Sequence, residues 1–380
     1  MLKRVHVKNF KSQVDTVAEV GQFTVFTGYN AAGKTTMLQA LVFLKQSLSR
    51  KEVTFNDYLL RLGDFREIVY GHDDSKAFEI AATLDHDGKE ITYSVLVAKN
   101  GVKEDFFIDG ELEWTWDARS PYSMEPAMRL FLSQAGSGYG GGTYTNPDPT
   151  LAIEVAREQQ YLVEWFENML YLSSSRGFTK YSYPLLAGQP EPEEVARRAG
   201  DATLLEEWLA NLILYRINEA NRYPELREQL DTMRERLSRV GIDINPYVMN
   251  GPSVVIDLCE DGMWVSAVNS GYGINQLVSF VALGTLLPKD SIIMIEEPEI
   301  HLHPKMQRIV CEILAEISDE NKQVVITTHS EHFLKTLGKR IEAGKLAKDD
   351  LEVYHYEKVD RIAQMTKVDV QDDALLEELF

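Results

Sequence analysis

The 380-residue chain is poor in cysteine, in basic charge and in long apolar runs. Its two cysteines, Cys259 and Cys311, are too few for a disulfide framework or a cysteine metal site, and they fit a reduced, cytoplasmic setting. The longest apolar run, near residues 277–287, is too short and too interrupted to span a bilayer. The N-terminus, Met1-Leu-Lys-Arg-Val-His-Val-Lys8, lacks the continuous apolar stretch of a signal peptide. No internal repeat is visible, and no helical pattern reaches the length of a long coiled coil. Lys and Arg number 39 against 59 Asp and Glu, a formal net charge of −20. Such a field repels nucleic acid on average, so any binding of that kind needs a local basic patch.

Two stretches could supply one. Lys3, Arg4, Lys8 and Lys11 cluster at the N-terminus; Arg222, Arg227, Arg234, Arg236 and Arg239 cluster in the middle. The second group is interleaved with Glu225, Glu228, Asp231 and Glu235, which reads as a solvated helix face.

What is present is a phosphate cradle. Gly28-Tyr-Asn30-Ala31-Ala32-Gly33-Lys34-Thr35-Thr36 follows an apolar run at 23–27 and precedes a helix-period segment at 37–44. Strand, GxxxxGK[ST] and helix in that order are the context of a P-loop. Glycines let successive N–H groups turn around a phosphate, and the helix N-terminus adds partial positive charge. Lys34 can reach β- and γ-phosphates, and the Thr35 hydroxyl can coordinate magnesium.

Around it, residues 3–7, 24–27, 78–84 and 91–97 read as strands, with a hairpin turn at 85–88. Residues 136–142, almost all glycine, read as a loop. Helical spacing follows at 151–170, 202–220 and 224–240, strands at 253–259 and 264–268 around a turn at 260–262. From residue 291 the pattern is strand, helix, strand: 292–295, 304–317 and 323–327, a βαβ unit of a parallel sheet. The expected division is therefore 1–135 as the first part of an ATPase domain with a β-rich lobe, 136–245 as a loop and an inserted helical lobe, and 246–380 as the rest. The acidic end, 372–380, reads as a short amphipathic helix or tail.

Three further elements carry chemistry. The strand at 292–295 ends in Glu296 and Glu297, where one carboxylate can serve a magnesium shell and the next can orient an attacking water. The strand at 323–327 ends in Thr328-His329-Ser330, and a histidine there can hydrogen-bond a γ-phosphate or the attacking water. Asn269-Ser270-Gly271-Tyr272-Gly273 precedes the helical run at 277–287 and makes a second anion site, for another nucleotide held by a second subunit. His301, His303 and Glu299 have a spacing that permits zinc, but no third and fourth ligand is nearby.

These four elements together resemble the ABC-type ATPases, and within them the group of OLD, RecF and SMC proteins. Glu296-Glu-Pro-Glu-Ile-His301-Leu-His303-Pro304 is similar to the form found in compact prokaryotic OLD-like ATPases. The resemblance implies an α/β P-loop NTPase fold, an ABC-type head with a mixed β-sheet lobe and an inserted mainly helical lobe. It implies ATP and magnesium as ligands, and a homodimer in which the P-loop of one subunit and the signature loop of the other sandwich ATP. Carried over, Asn30 to Thr36 belong to Walker A and Ser270, Gly271 and Gly273 to the signature. Glu296 and Glu297 take the Walker B positions, Thr35 and Glu296 serve the metal, and Lys34, Glu297 and His329 serve the chemistry. Lys11 and Ser12 match the opening turn that lies beside the adenine, and His303 falls at the D-loop aspartate. Gly63-Asp64-Phe65-Arg66 and Leu172-Ser-Ser-Ser-Arg176 are also similar to this group. The chain departs from it in its Ser-Gly-Tyr-Gly signature, in glutamate rather than aspartate at 296, and in having no identifiable Q-loop glutamine.

The resulting expectation is a slow ATPase that dimerises around ATP and acts as a switch for a separate protein effector, in antiviral defence or DNA maintenance. No acidic cluster of the Toprim nuclease type is visible after His329. The alternative is an SMC- or RecF-like DNA-binding repair ATPase, which the net charge disfavours.

Overall fold

A computed structural model of the chain describes residues 1–50, 53–57, 59–118, 143–144, 149–188, 190–192, 194–195, 202–249 and 251–369. The stretches at 136–142 and 372–380 lie outside them.

In chain order, β1 (Leu2–Phe10), β2 (Gln13–Glu19) and β3 (Phe23–Gly28) lead into helix α1 (Lys34–Arg50). A one-turn helix α2 (Phe65–Ile68) precedes β4 (Phe78–His86), β5 (Lys89–Ala98), β6 (Gly101–Ile108), β7 (Glu111–Ala118) and β8 (Thr143–Tyr144). Then come α3 (Pro149–Asn168), β9 (Leu170–Leu172), β10 (Tyr183–Pro184), α4 (Ala202–Glu219) and α5 (Pro224–Ser238). β11 (Ile242–Met249), β12 (Ser253–Glu260) and β13 (Met263–Ser266) precede α6 (Tyr272–Leu286), β14 (Ile292–Glu296) and α7 (Pro304–Asp319). β15 (Gln323–Thr328), α8 (Glu331–Glu342), β16 (Leu351–Val359) and β17 (Ile362–Lys367) follow.

These elements pack as two compact units. One contains residues 1–21, 26–169 and 352–368; the other contains 22–25 and 170–351 with Asp369. β3 therefore begins in the second unit and ends in the first. The three-way division by sequence character groups residues differently: α3 packs in the first unit, α4 and α5 in the second.

The first unit is built on a seven-stranded antiparallel sheet, ordered β2-β1-β4-β5-β6-β7-β8. Its hairpins at 87–88 and 109–110 close on Asp-Gly pairs with both residues left-handed, φ 53° and 82°, then 50° and 82°. That is the turn whose twist matches the flanking strands. β6 and β7 went unassigned in the sequence although the second Asp-Gly pair marks them, and β6 alternates buried and half-buried positions along its whole length. On this sheet lie Phe10, Phe43, Phe55 and Phe78, with Phe10 and Phe43 centroids 5.3 Å and 5.7 Å from Phe78. The three buried rings, Phe10, Phe43 and Phe78, contribute roughly 1.5–3 kcal/mol each of apolar transfer. Helix α1 is buried nearly all round, and Lys45 on it donates to the carbonyls of Glu167 and Met169 at the end of α3. A cation there satisfies carbonyls that the helix end leaves open.

In the second unit, β14 lies between β9 and β15 in parallel pairing, with Ile295 opposite Leu172 and Ile326. β10, β12, β11 and β13 form a separate antiparallel sheet. Helix α6 begins at Tyr272, five residues before the run that the apolar pattern marks, because Tyr272, Gly273, Asn275 and Gln276 add a polar first turn. Among the described residues no helix is long and apolar enough to cross a membrane.

Candidate functional site

The P-loop lies in the first unit. β3 is buried at all six positions and ends at Gly28, whose φ of 126° suits glycine alone. A Cβ at Gly28 would lie 2.1 Å from the Tyr356 carbonyl oxygen. The loop then curls: the Ala32 N–H donates to the Tyr29 carbonyl at 3.2 Å, Ala31 is left-handed at φ 60°, and Gly33 has φ 114°. Asn30 and Ala31 are exposed, Ala32 is buried and Thr35 half-buried. Thr36 is buried, and its N–H donates to the Gly33 carbonyl at 3.1 Å. α1 starts at Lys34 with no acid in its first turn, which leaves the positive end of the helix to an anion. The buried Lys34 ammonium donates to the Gly28 and Tyr29 carbonyls, 2.9 Å each, so the cation is held inside the curl.

The β1–β2 turn braces this loop. Gln13 Nε2 donates to the Gly33 carbonyl at 3.2 Å, and a Cβ on Gly33 would lie 3.0 Å from both Ser12 Oγ and Gln13 Nε2. Lys11 is left-handed, φ 55°, and its ammonium donates to Gln39 Oε1 on α1 at 2.7 Å. The structure thus brings Lys11, Ser12 and Asn30 to Thr36 together. It adds Gln13 and, behind Tyr29, the buried His355, their rings 6.3 Å apart. Burial, and with it the Lys34 charge, holds His355 below the usual imidazole range. Neither residue was legible in the sequence, since each acts through a contact distant in the chain.

The second unit carries the acids and the signature. β14 is apolar until Glu296, whose Oε1 accepts from the Tyr171 hydroxyl at 2.6 Å and whose Oε2 accepts from the Ser174 N–H at 3.4 Å. Burial raises its pKa against those two bonds. Each oxygen keeps a lone pair, which fits a carboxylate serving a hydrated metal and not one enclosing it. Glu297 is left-handed at φ 44°; its N–H donates to the Thr327 carbonyl at 2.9 Å, and its carboxylate lies 3.5 Å from His329 Nε2. Both side chains are about one-third exposed, at 33% and 32%. Glu297 and His329 are therefore neighbours, as their positions at adjacent strand ends imply.

Glu299 holds the histidine from below. It is buried, and its Oε1 accepts from Thr328 Oγ1 at 2.6 Å and from the His329 N–H at 2.7 Å. Burial raises its pKa. His303 caps α7 by accepting from the Lys305 N–H at 3.3 Å, a role an aspartate fills equally well. The His301 ring packs edge-on to Tyr272, centroids 5.1 Å apart. Among the described residues, no group of three His, Cys, Asp or Glu side chains is arranged to hold a metal on its own.

At the signature, Gly271 is the N-cap of α6 and makes no side-chain cap bond, and the first turn holds no acid. Ser270 Oγ donates to its neighbour, the Gly271 carbonyl, at 3.4 Å. A Cβ on Gly273 would lie 2.7 Å from the His301 carbonyl oxygen, so a glycine lets the helix end meet the loop that follows β14.

The arginine group around α5 divides: Arg222, Arg227 and Arg234 lie on the solvated face that their acidic neighbours suggest, and Arg236 and Arg239 do not. Arg236 is buried and bonds Thr285 Oγ1 at 2.9 Å and Glu320, while Arg239 bonds Glu312 and Glu316 at 3.0 Å and 2.6 Å. Arg222, Arg227 and Arg234 pair with Glu219, Asp231 and Asp243. Arg227 and Asp231 share the exposed face of α5, whereas Arg236 and Arg239 turn toward the acids of α7 and its C-terminal end.

Comparison with known proteins agrees with this geometry. The profile of a family described as "AAA ATPase domain" matches residues 1–137 and 201–334. Across 375 residues the chain is 24% identical to the OLD nuclease of Thermus scotoductus, covering 92% of this chain and 62% of that protein. It is 25% identical over 359 residues to the Endonuclease GajA of Bacillus cereus, covering 87% and 55%. The chain thus spans somewhat over half the length of these curated relatives. Among solved structures, an SMC head bound to the C-winged helix domain of ScpA matches with a TM-score of 0.57 at 14% identity, over 98% of this chain and 99% of that one. An SMC head with an extended coiled coil, bound to the C-terminal domain of ScpA derived from Pyrococcus furiosus, gives 0.54 at 13%, over 99% and 98%. At these identities the likeness is one of fold. The chain belongs to the AAA ATPase domain family, and it is an OLD- and SMC-like ATPase with the fold of a P-loop NTPase head.

Proposed function

We propose that the chain binds and slowly hydrolyses ATP, and that ATP closes two copies head to tail around their P-loops and signature loops. The observation that carries the reading is the start of α6. It is an acid-free helix end without a side-chain cap, set behind Ser270 and Gly271, in addition to the phosphate cradle at α1. Two such ends in one chain suit two copies that each complete the other's site.

In this reading the P-loop N–H groups and Lys34 bind the β- and γ-phosphates, and Asn30 to Thr36 fix their position. Lys11 and Ser12 flank the nucleoside end. Magnesium, when bound, neutralises charge on the β- and γ-oxygens. Thr35 offers its hydroxyl to it, and Glu296 a carboxylate held by Tyr171. Glu297 takes the proton of the attacking water, and His329, 3.5 Å away, orients that water or the γ-phosphate. Ser270, Gly271 and Gly273 meet the nucleotide of the other copy.

The names of the relatives, a nuclease and an endonuclease, support a further step: closure controls a nuclease effector held by contact with this ATPase, and defence or DNA maintenance is the setting we propose for it. The DNA-binding alternative draws less support from this region, where Arg236 and Arg239 are turned to carboxylates and the solvated Arg222, Arg227 and Arg234 sit beside acids.

The test is mass in solution for Glu297→Gln with and without ATP. A shift to the dimer mass with ATP, absent in Lys34→Ala, is the expected result. A chain that stays monomeric with ATP rules out the sandwich.

A further inference from the structure

We propose that Arg176 is the positioning residue of the Glu296–Glu297 turn, and that the strap carrying it, residues 173–178, fastens this turn to the signature helix α6. The inference rests on the ATPase reading above and adds to it a route by which the signature end acts on the hydrolytic end.

Arg176 is buried, 5% exposed. Its Nη1 donates to the Ser173 carbonyl at 2.9 Å and the Glu296 carbonyl at 2.5 Å, and its Nη2 donates to the Glu297 carbonyl at 3.0 Å. Its guanidinium lies 5.3 Å from the centre of the Phe280 ring, on α6. Burial lowers its pKa to about 10, with Glu299, Glu296 and Glu297 pulling the other way, so the group is charged at neutral pH. A buried cation spent on neutral carbonyls is a costly way to stabilise a fold. What it secures is conformation: the carbonyls of the two peptides that flank the Glu297 Cα are fixed, and Glu297 is held left-handed, a backbone region that a glutamate rarely adopts.

The same strap is tied to the first turn of α6. Asn275 pairs with the Phe178 backbone as a strand would, accepting from its N–H at 2.7 Å and donating to its carbonyl at 2.8 Å. Gln276 Nε2 donates to the Ser174 carbonyl at 2.9 Å, while the Ser174 N–H faces Glu296 Oε2. Gly177, φ 111°, lets the strap pass beside Asn275, since a Cβ there would lie 2.9 Å from Oδ1. One short loop is thus bonded to the residues just after Ser270 and Gly271 and to the residues that flank the attacking water. A shift of the α6 end has no slack to absorb it before it reaches the Glu297 backbone.

The experiment compares wild type with Arg176→Ala, Arg176→Lys, Gln276→Ala and the Arg176→Ala/Gln276→Ala double variant, using a fluorescent ATP analogue for affinity and phosphate release for turnover. Arg176→Ala is expected to keep ATP affinity within about threefold and to lose about a hundredfold in kcat, the scale of a misplaced reacting group. Arg176→Lys recovers about tenfold of that, having charge but no fork. Gln276→Ala loses about tenfold, and the double variant is no slower than Arg176→Ala alone, as two residues on one path require. An unchanged kcat in Arg176→Ala, or losses that multiply in the double variant, overturns the inference. If Arg176→Ala melts without a cooperative transition, Arg176→Lys and its double with Gln276→Ala decide by the same criteria. A wild-type chain with no Lys34-dependent hydrolysis overturns the ATPase reading and this inference with it.

Discussion

The two helix ends offered to phosphate are made by different means. At the start of α1 the curl and the grip on its cation are contiguous: Gly28 and Gly33 supply the backbone, Lys34 is held by carbonyls five and six residues before it, and Gln13 braces Gly33 from the β1–β2 turn. At the start of α6 almost nothing is contiguous. Its first turn is fixed by the strap at 173–178, by the His301 carbonyl against Gly273 and by the Tyr272–His301 ring contact. The first is a cradle that holds its own cation and is braced from outside. The second depends on its neighbours, and a part that depends on its neighbours can report on them.

The largest expected effect separates the two. Glu297→Gln should lower single-turnover hydrolysis by about 10²- to 10⁴-fold, the worth of a general base, and leave ATP affinity near wild type. Lys34→Ala should lose both. If Glu297→Gln weakens binding as much as turnover, the division between a binding end and a hydrolytic end fails.

Glycine substitutions sharpen the same contrast. Gly28→Ala meets a backbone carbonyl of a paired strand from a left-handed φ, so it should cost about 3 kcal/mol or more of stability, seen as a lower denaturation midpoint. Gly273→Ala lies in a helix, so it meets the His301 carbonyl and the Leu302 side chain without the added strain of a left-handed φ. It should cost about 1–2 kcal/mol, with the larger loss in turnover. Equal melting losses with equal turnover losses would erase the distinction between a rigid cradle and a dependent one.

This difference also explains what the sequence showed. The P-loop, the strand ending in Glu296–Glu297 and the strand ending before His329 were legible because each is a local string with a fixed period. β6 and β7 were missed although Asp109-Gly110 marks their turn, because the flanking charges at Lys103, Glu104 and Asp105 mask the alternation. Gln13, Tyr171 and Glu299 carry no local signal; their roles exist only once distant strands are paired. Arg236 and Arg239 depart from the solvated face for the same reason, since their partners at Glu312, Glu316 and Glu320 lie 73 to 84 residues away.

The smallest effect lies in the antiparallel sheet of the first unit, a region expected to support the cradle without touching the chemistry. Glu104 on β6 is fully buried beside the Tyr93 phenol, and burial raises its pKa from 4.5 to about 8, the Tyr93 hydroxyl pulling the other way. It is therefore an uncharged acid in the folded protein at neutral pH. The unfolded chain gives up this proton near pH 4.5, so between about pH 4.5 and 8 rising pH favours unfolding; below that window both states hold the proton, and above it the penalty is constant. Glu104→Gln removes the titration at nearly constant volume. The variant should match wild type near pH 4 and gain steadily to pH 8, reaching on the order of a few kcal/mol at most. Turnover at pH 7 should be unchanged. Thermal melts across pH 4 to 9 provide the check. A gap between variant and wild type that does not change with pH means that Glu104 does not titrate in this window. A change in turnover means that the sheet is coupled to the chemistry after all, and that the first unit is more than a mount for its P-loop.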